Sequence, residues 1–234
     1  MNNTVFQDSS QKVSFISLLT VLLAVVIGVT LLNPLWANYS PPFDIPKILP
    51  AITAPVDGPF YLWNAEYGYR WDSQDPLSLW FHPLMSWLVI IMPAWLPNNI
   101  WFWLISIFFG VGSLVLTYQL AAILTPASNL STNLMPLTLL AVGGLGLATG
   151  NAEIPTLFFA TALLLSVLRW QIWWLTIFCA ALAILTKPNA LYLIPIMGVY
   201  FISGILKRDM ELWGHAFLGL VALLLTWIAW IELV

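Results

Sequence analysis

The chain has 234 residues, of which 61% are hydrophobic and 7% charged, with a formal net charge of -3; its mean hydropathy is +0.91. Such values exclude an ordinary soluble domain, and with neither a basic tract nor an acidic tail they give no sign of nucleic acid as a partner. Lipid offers nothing to a free backbone N–H or C=O, so apolar segments must close their hydrogen bonds within helices or a closed barrel. Near-continuous apolar runs at 13–32, 100–124 and 212–233 select helices, because barrel strands alternate apolar and polar residues. The expectation is therefore an all-α integral membrane protein, a polytopic bundle forming one transmembrane domain over residues 1–234.

Residues 13–32 follow Lys12 and precede Ala37, which gives them the look of a secretory signal. They exceed the about 7 to 15 residues of a signal core and run into Asn33-Pro34, so they read as an uncleaved anchor. Residues 33–99 form one long loop in which prolines, tryptophans and half of the acids are concentrated. Within it, 79–96 is apolar, but Pro83 and Pro93 interrupt it and Trp80, Trp87 and Trp95 recur along it. That pattern predicts a segment lying in the membrane interface.

Basic residues decide the sidedness, since short cytoplasmic loops collect Lys and Arg. With Lys12 inside and 79–96 not crossing, spans at 100–124, 134–149, 154–168, 172–186, 190–206 and 212–233 put Arg169, Lys207 and Arg208 inside and Lys187 outside. If 79–96 crossed, every later loop would change sides. The expectation is about seven spans, within a range of six to eight, with the amino terminus cytoplasmic, a bacterial-type plasma membrane, and an external first loop carrying interfacial helices. Asp57, Glu66, Asp75, His82, Glu153 and Lys187 then share the external face. Gly146 and Gly150 form a GxxxG that suits close helix packing, and the lone Cys179, within an apolar run, reads as a packing residue.

No phosphate-binding glycine loop, nucleophile elbow or zinc-spaced cluster is present, so no cofactor or metal is implied. What remains is a set of polar residues at the external ends of apolar segments, where an ionisable group is costly. Asp57 opens a stretch containing Tyr61, Trp63, Glu66, Tyr67 and Tyr69. Aromatic rings with polar tips suit the faces of a sugar, and the carboxylate suits a general base that takes a proton from an attacking hydroxyl; a solvated loop acid or a helix cap is the competing reading. Lys187, followed by Pro188, offers a point charge to a phosphate or simply snorkels to the headgroups. Asn151 suits a sugar hydroxyl, and Glu153 suits positioning a base or pairing with Lys187; a turn and cap would also place them. His82 either lies near such a site or is a hydrogen-bonded structural group.

In this order, Asp57 with Tyr61 and Ala65, Asp75-Pro76, Phe81-His82-Pro83-Leu84, Gly150-Asn151 and Lys187-Pro188 resemble the amino-terminal half of the polyprenyl-phosphate-mannose-dependent α-mannosyltransferases of GT-C architecture. The resemblance covers about residues 13–208. It implies a polyprenyl-phosphate-linked sugar donor drawn from the membrane lipids, Asp57 as catalytic base, substrate contacts from Tyr61, Glu66, Asp75, His82, Asn151, Glu153 and Lys187, and an inverting displacement with no metal. His82 stands where the family often has proline, and the Gly150-Asn151 element is abbreviated. Family members usually carry several further helices, so the resemblance leaves three expectations open: a fragment, a split gene product, or a half-enzyme needing a partner chain that supplies the missing helices. Two other classes stay open: a non-catalytic or truncated relative serving as a membrane subunit of a larger assembly, and a lipid or solute transporter.

Overall fold

A computed structural model describes residues 58–68, 83–124 and 153–233. The expected spans at 13–32 and 134–149, and the Gly146/Gly150 pair, lie outside the described residues. The elements are α1 (Gly58–Tyr67), α2 (Leu84–Ile90), α3 (Asn98–Leu124), α4 (Glu153–Leu165) running into a π-helical turn (Ser166–Trp170), α5 (Trp173–Thr186), a 3-10 turn (Pro188–Tyr192), α6 (Leu193–Lys207) and α7 (Met210–Leu233). Among the described residues there is no strand. Among the described residues, four helical stretches are long and apolar enough to cross a bilayer: Asn98–Thr117, Glu153–Trp170, Pro188–Lys207 and Met210–Glu232. α5 is apolar but only 14 residues long. The described part of the 79–96 segment, residues 83–96, does not form a span: α2 has 7 residues, about a third of the length a crossing needs, and the chain turns after Ile91. Its Trp87, Ile91 and Trp95 remain exposed.

α3 packs on α4, α4 on α5, α5 on α7 and α7 on α6, while α1 and α2 pack together against the start of α3. Two tight turns set the hairpins. Between α4 and α5, Gln171 adopts a left-handed conformation with φ 50°, and its N–H donates to the Ser166 carbonyl at 2.8 Å, closing the π-helical turn. Between α6 and α7, Arg208 is left-handed at φ 55°, its N–H donates to the Ile205 carbonyl, and the Asp209 N–H donates to the Gly204 carbonyl at 2.9 Å. This is the paired bonding that satisfies the last carbonyls of a helix. Asp209 then caps α7, its Oδ1 accepting from the Leu212 N–H at 3.0 Å. So short a turn presses the two helices together at Gly204, where an added Cβ would lie 2.6 Å from the Trp213 backbone nitrogen.

The packing of α3 on α4 corrects the expected topology. Ser113 donates to the Ile154 carbonyl at 3.2 Å, Gly112 faces the Phe158 ring, and Phe109 packs on Phe158 and Phe159 with centroids 5.2 and 5.3 Å apart. Contacts that descend α3 therefore climb α4, and the two helices are antiparallel. One crossing between them, as charge counting assumed, would have made them parallel. The small Gly112 and Ser113 let α4 approach in this direction and seat its aromatic side chains. One end of the bundle accordingly holds the start of α3 together with Arg169, Lys207 and Arg208, and the opposite end holds Glu153 and Lys187.

Candidate functional site

At that opposite end, the first residue of α4 meets the residue that ends α5. Pro188 disfavours helical geometry at the residue before it, and Lys187 takes extended backbone with φ -162° and ψ 142°. Its Nζ forms an ion pair and hydrogen bond with Glu153 Oε1. Each charge suits its position, an anion at a helix start and a cation at a helix end. Lys187 is 21% exposed and Glu153 51%. Beneath them the hydroxyls of Thr156 and Thr186 are 2.7 Å apart, both buried, and the Thr186 Oγ1 also donates to the Ala183 carbonyl at 2.6 Å. Adjacent helix ends are thus pinned in register directly below the ion pair.

The pairing of Glu153 with Lys187, foreseen as one of its two uses, is formed. Asp57, Asp75, His82 and Asn151 lie outside the described residues. Tyr61 is on α1 and 1% exposed; its ring stacks on Phe102 with centroids 5.9 Å apart, and its carbonyl accepts from Ser86 Oγ at 2.9 Å. It is a core residue rather than an open platform for a sugar. The exposed aromatic rings of α1 are instead those of Phe60, Trp63 and Tyr67. Glu66 lies on the same helix and is exposed. Phe102 precedes Ser113, which marks the level of Glu153, by about 16 Å of helix rise. The structure therefore brings Glu153 and Lys187 together and does not bring Tyr61 to them.

Sequence reasoning missed a second polar cluster. Ser166 Oγ and Thr176 Oγ1, both fully buried, lie 2.9 Å apart, and Thr176 Oγ1 is 3.2 Å from His215 Nδ1. It ties α4, α5 and α7 together near the end that carries Arg169. An ionisable residue inside a span is a signal worth following, and His215, within Met210–Glu232, is one. Ser166 and Thr176 have additional outlets in the Leu163 and Ile172 carbonyls at 2.8 and 3.2 Å, so the hydroxyl chain stays satisfied whichever way its hydrogens point. Cys179 is free and buried, in keeping with a packing role. Among the described residues no group of acids, histidines and cysteines could hold a metal ion.

Comparison with family models, with curated proteins and with solved structures finds no match to this chain.

Proposed function

We propose that the chain is a membrane glycosyltransferase that moves mannose, or a related hexose, from a polyprenyl-phosphate donor to an acceptor hydroxyl. The observation that carries this reading is Lys187. It is a cation fixed at a helix break, at one end of the bundle, where the headgroup of a lipid in the bilayer can reach it. Positive-inside bias puts the end bearing Arg169, Lys207 and Arg208 in the cytoplasm and Lys187 on the external side. The same bias puts the start of α3, with α1 and its Glu66 packed there, on the cytoplasmic side, against the expected shared external face. In the displacement, the acceptor oxygen forms a bond to the anomeric carbon as the bond from that carbon to the phosphate oxygen breaks. The hydroxyl proton passes to a general base, and the lipid phosphate leaves with the bonding electron pair, its charge met by Lys187. The sequence landmarks assign the base to Asp57, although α1, which begins at the next residue, packs against the start of α3 at the end of the bundle opposite Lys187. The order of the sequence landmarks from Asp57 to Lys187-Pro188 supports the same reading.

A second reading is favoured by one observation: Tyr61 is buried against Phe102, about 16 Å along α3 from the level of the ion pair. A chain whose landmarks are separated in this way fits a non-catalytic membrane subunit of a larger assembly, or a half that a partner chain completes. Asp57→Asn distinguishes the two. Membranes carrying the variant are assayed for transfer from polyprenyl-phosphate-mannose, with a loss of at least about 100-fold expected if Asp57 is the base. Transfer at the unmutated rate removes the catalytic role of Asp57 and leaves the subunit reading.

A further inference from the structure

The cation that the proposed function assigns to the donor phosphate already has an anion. Lys187 Nζ is held by Glu153 Oε1, and the two partners are not equally fixed. Lys187 follows Thr186, which is buried and hydrogen-bonded to both Thr156 and the Ala183 carbonyl, and it precedes the rigid ring of Pro188. Glu153 starts its helix with its side chain 51% exposed, so its carboxylate can rotate into solvent without disturbing the core. A lysine ammonium has donors for more than one acceptor, but a carboxylate and a phosphate sharing one ammonium repel each other. The mobile anion is the one that gives way.

We propose that Glu153 is a resident counter-anion of Lys187, displaced by the phosphate monoester that the transfer releases, so that binding of that product at this end of the bundle is an exchange of carboxylate for phosphate. The inference rests on the reading of Lys187 as a phosphate cation and adds to it that Glu153 competes for the cation. In the free protein the ion pair keeps the lysine neutralised at the end of the bundle. It also weakens binding of any anion too feebly charged to evict a carboxylate.

The test is isothermal titration of the full chain, reconstituted in zwitterionic nanodiscs, with two probes: monododecyl phosphate and inorganic phosphate. Removing an exposed competing carboxylate is expected to tighten phosphate binding about three- to fivefold in Glu153→Gln. Lys187→Gln is expected to weaken binding at least about tenfold, and the double variant to bind no tighter than Lys187→Gln. Lys187→Arg keeps the charge and is expected to retain binding, which guards against loss through misfolding. If Glu153→Gln weakens binding as Lys187→Gln does, the competition is refuted while the phosphate reading of Lys187 stands. If Lys187→Gln binds as the unmutated chain does, that reading fails and the inference fails with it. Tighter binding of the anchored ester than of inorganic phosphate supports exchange with a lipid headgroup, and equal binding supports exchange with a soluble phosphate.

Discussion

Gly204→Ala is expected to open the α6–α7 hairpin. The added Cβ would lie 2.6 Å from the Trp213 nitrogen, 2.7 Å from its Cβ and 2.9 Å from its Cα. Two of these are backbone atoms that no rotamer change can remove, so the helices must part by about 1 Å to restore van der Waals distance. Overpacking of this kind costs about 1–3 kcal/mol. Separation also weakens the ring pairs Phe201–Trp213 and Phe201–Phe217, at 6.1 and 5.9 Å, each worth about 0.5–1.5 kcal/mol when intact. Alanine's better helix propensity returns about 1 kcal/mol. The balance is a loss of roughly 2 kcal/mol, which for a chain of this size lowers the melting temperature by about 4–8 °C. Gly198 lies in the same helix with nothing within 4 Å of an added Cβ, so Gly198→Ala should be neutral or slightly stabilising. Tryptophan-fluorescence melts of the two variants in detergent decide the matter, and equal melting temperatures would refute the argument from close approach.

Thr176→Val removes the hydroxyl that joins Ser166 to His215. It should destabilise by about 0.6–2 kcal/mol in thermal melts, with a smaller loss when His215→Leu is already present because the lost interactions are shared. In a Cys179→Ala background, Ser113→Cys with Ile154→Cys should form a disulfide under mild oxidation, whereas Ser113→Cys with Leu168→Cys, neighbours in a parallel packing, should not. A gel that shows the second crosslink and not the first would overturn the antiparallel assignment of α3 and α4.

The described helices from α3 onward were legible because each is an apolar run ended by something chemically plain, whereas α1 read as part of a loop. Pro188 ends α5, the Lys207-Arg208-Asp209 turn ends α6, and Pro83 and Pro93 bracket the short α2 within 83–96. The ion pair was legible as one option among two, because Glu153 and Lys187 are rare charges bordering consecutive apolar runs. What stayed hidden are contacts between helices. Charge counting registers the parity of crossings but not the neighbour of each helix, so it could not see that Ser113 sits under the Ile154 carbonyl. Nor does a Ser, Thr or His in an apolar run reveal its partner: Ser166, Thr176 and His215 come from three elements and are joined only by packing. Tyr61 read as a sugar platform because an aromatic ring in a loop and one in a core look alike until Phe102 is placed against it.

The brevity of α5 has a consequence for the bilayer itself. Its 14 residues rise about 21 Å, against a hydrocarbon thickness of about 30 Å. With Trp173 and Trp174, exposed at one end, anchored among the headgroups, the other end stops short of the far surface. Where α5 crosses the bilayer in this way, the hydrophobic mismatch would be relieved by local thinning of the leaflet around Lys187. Such thinning would carry headgroups and water down to the charged pair, so that the protein would shape the surface from which a lipid reaches it.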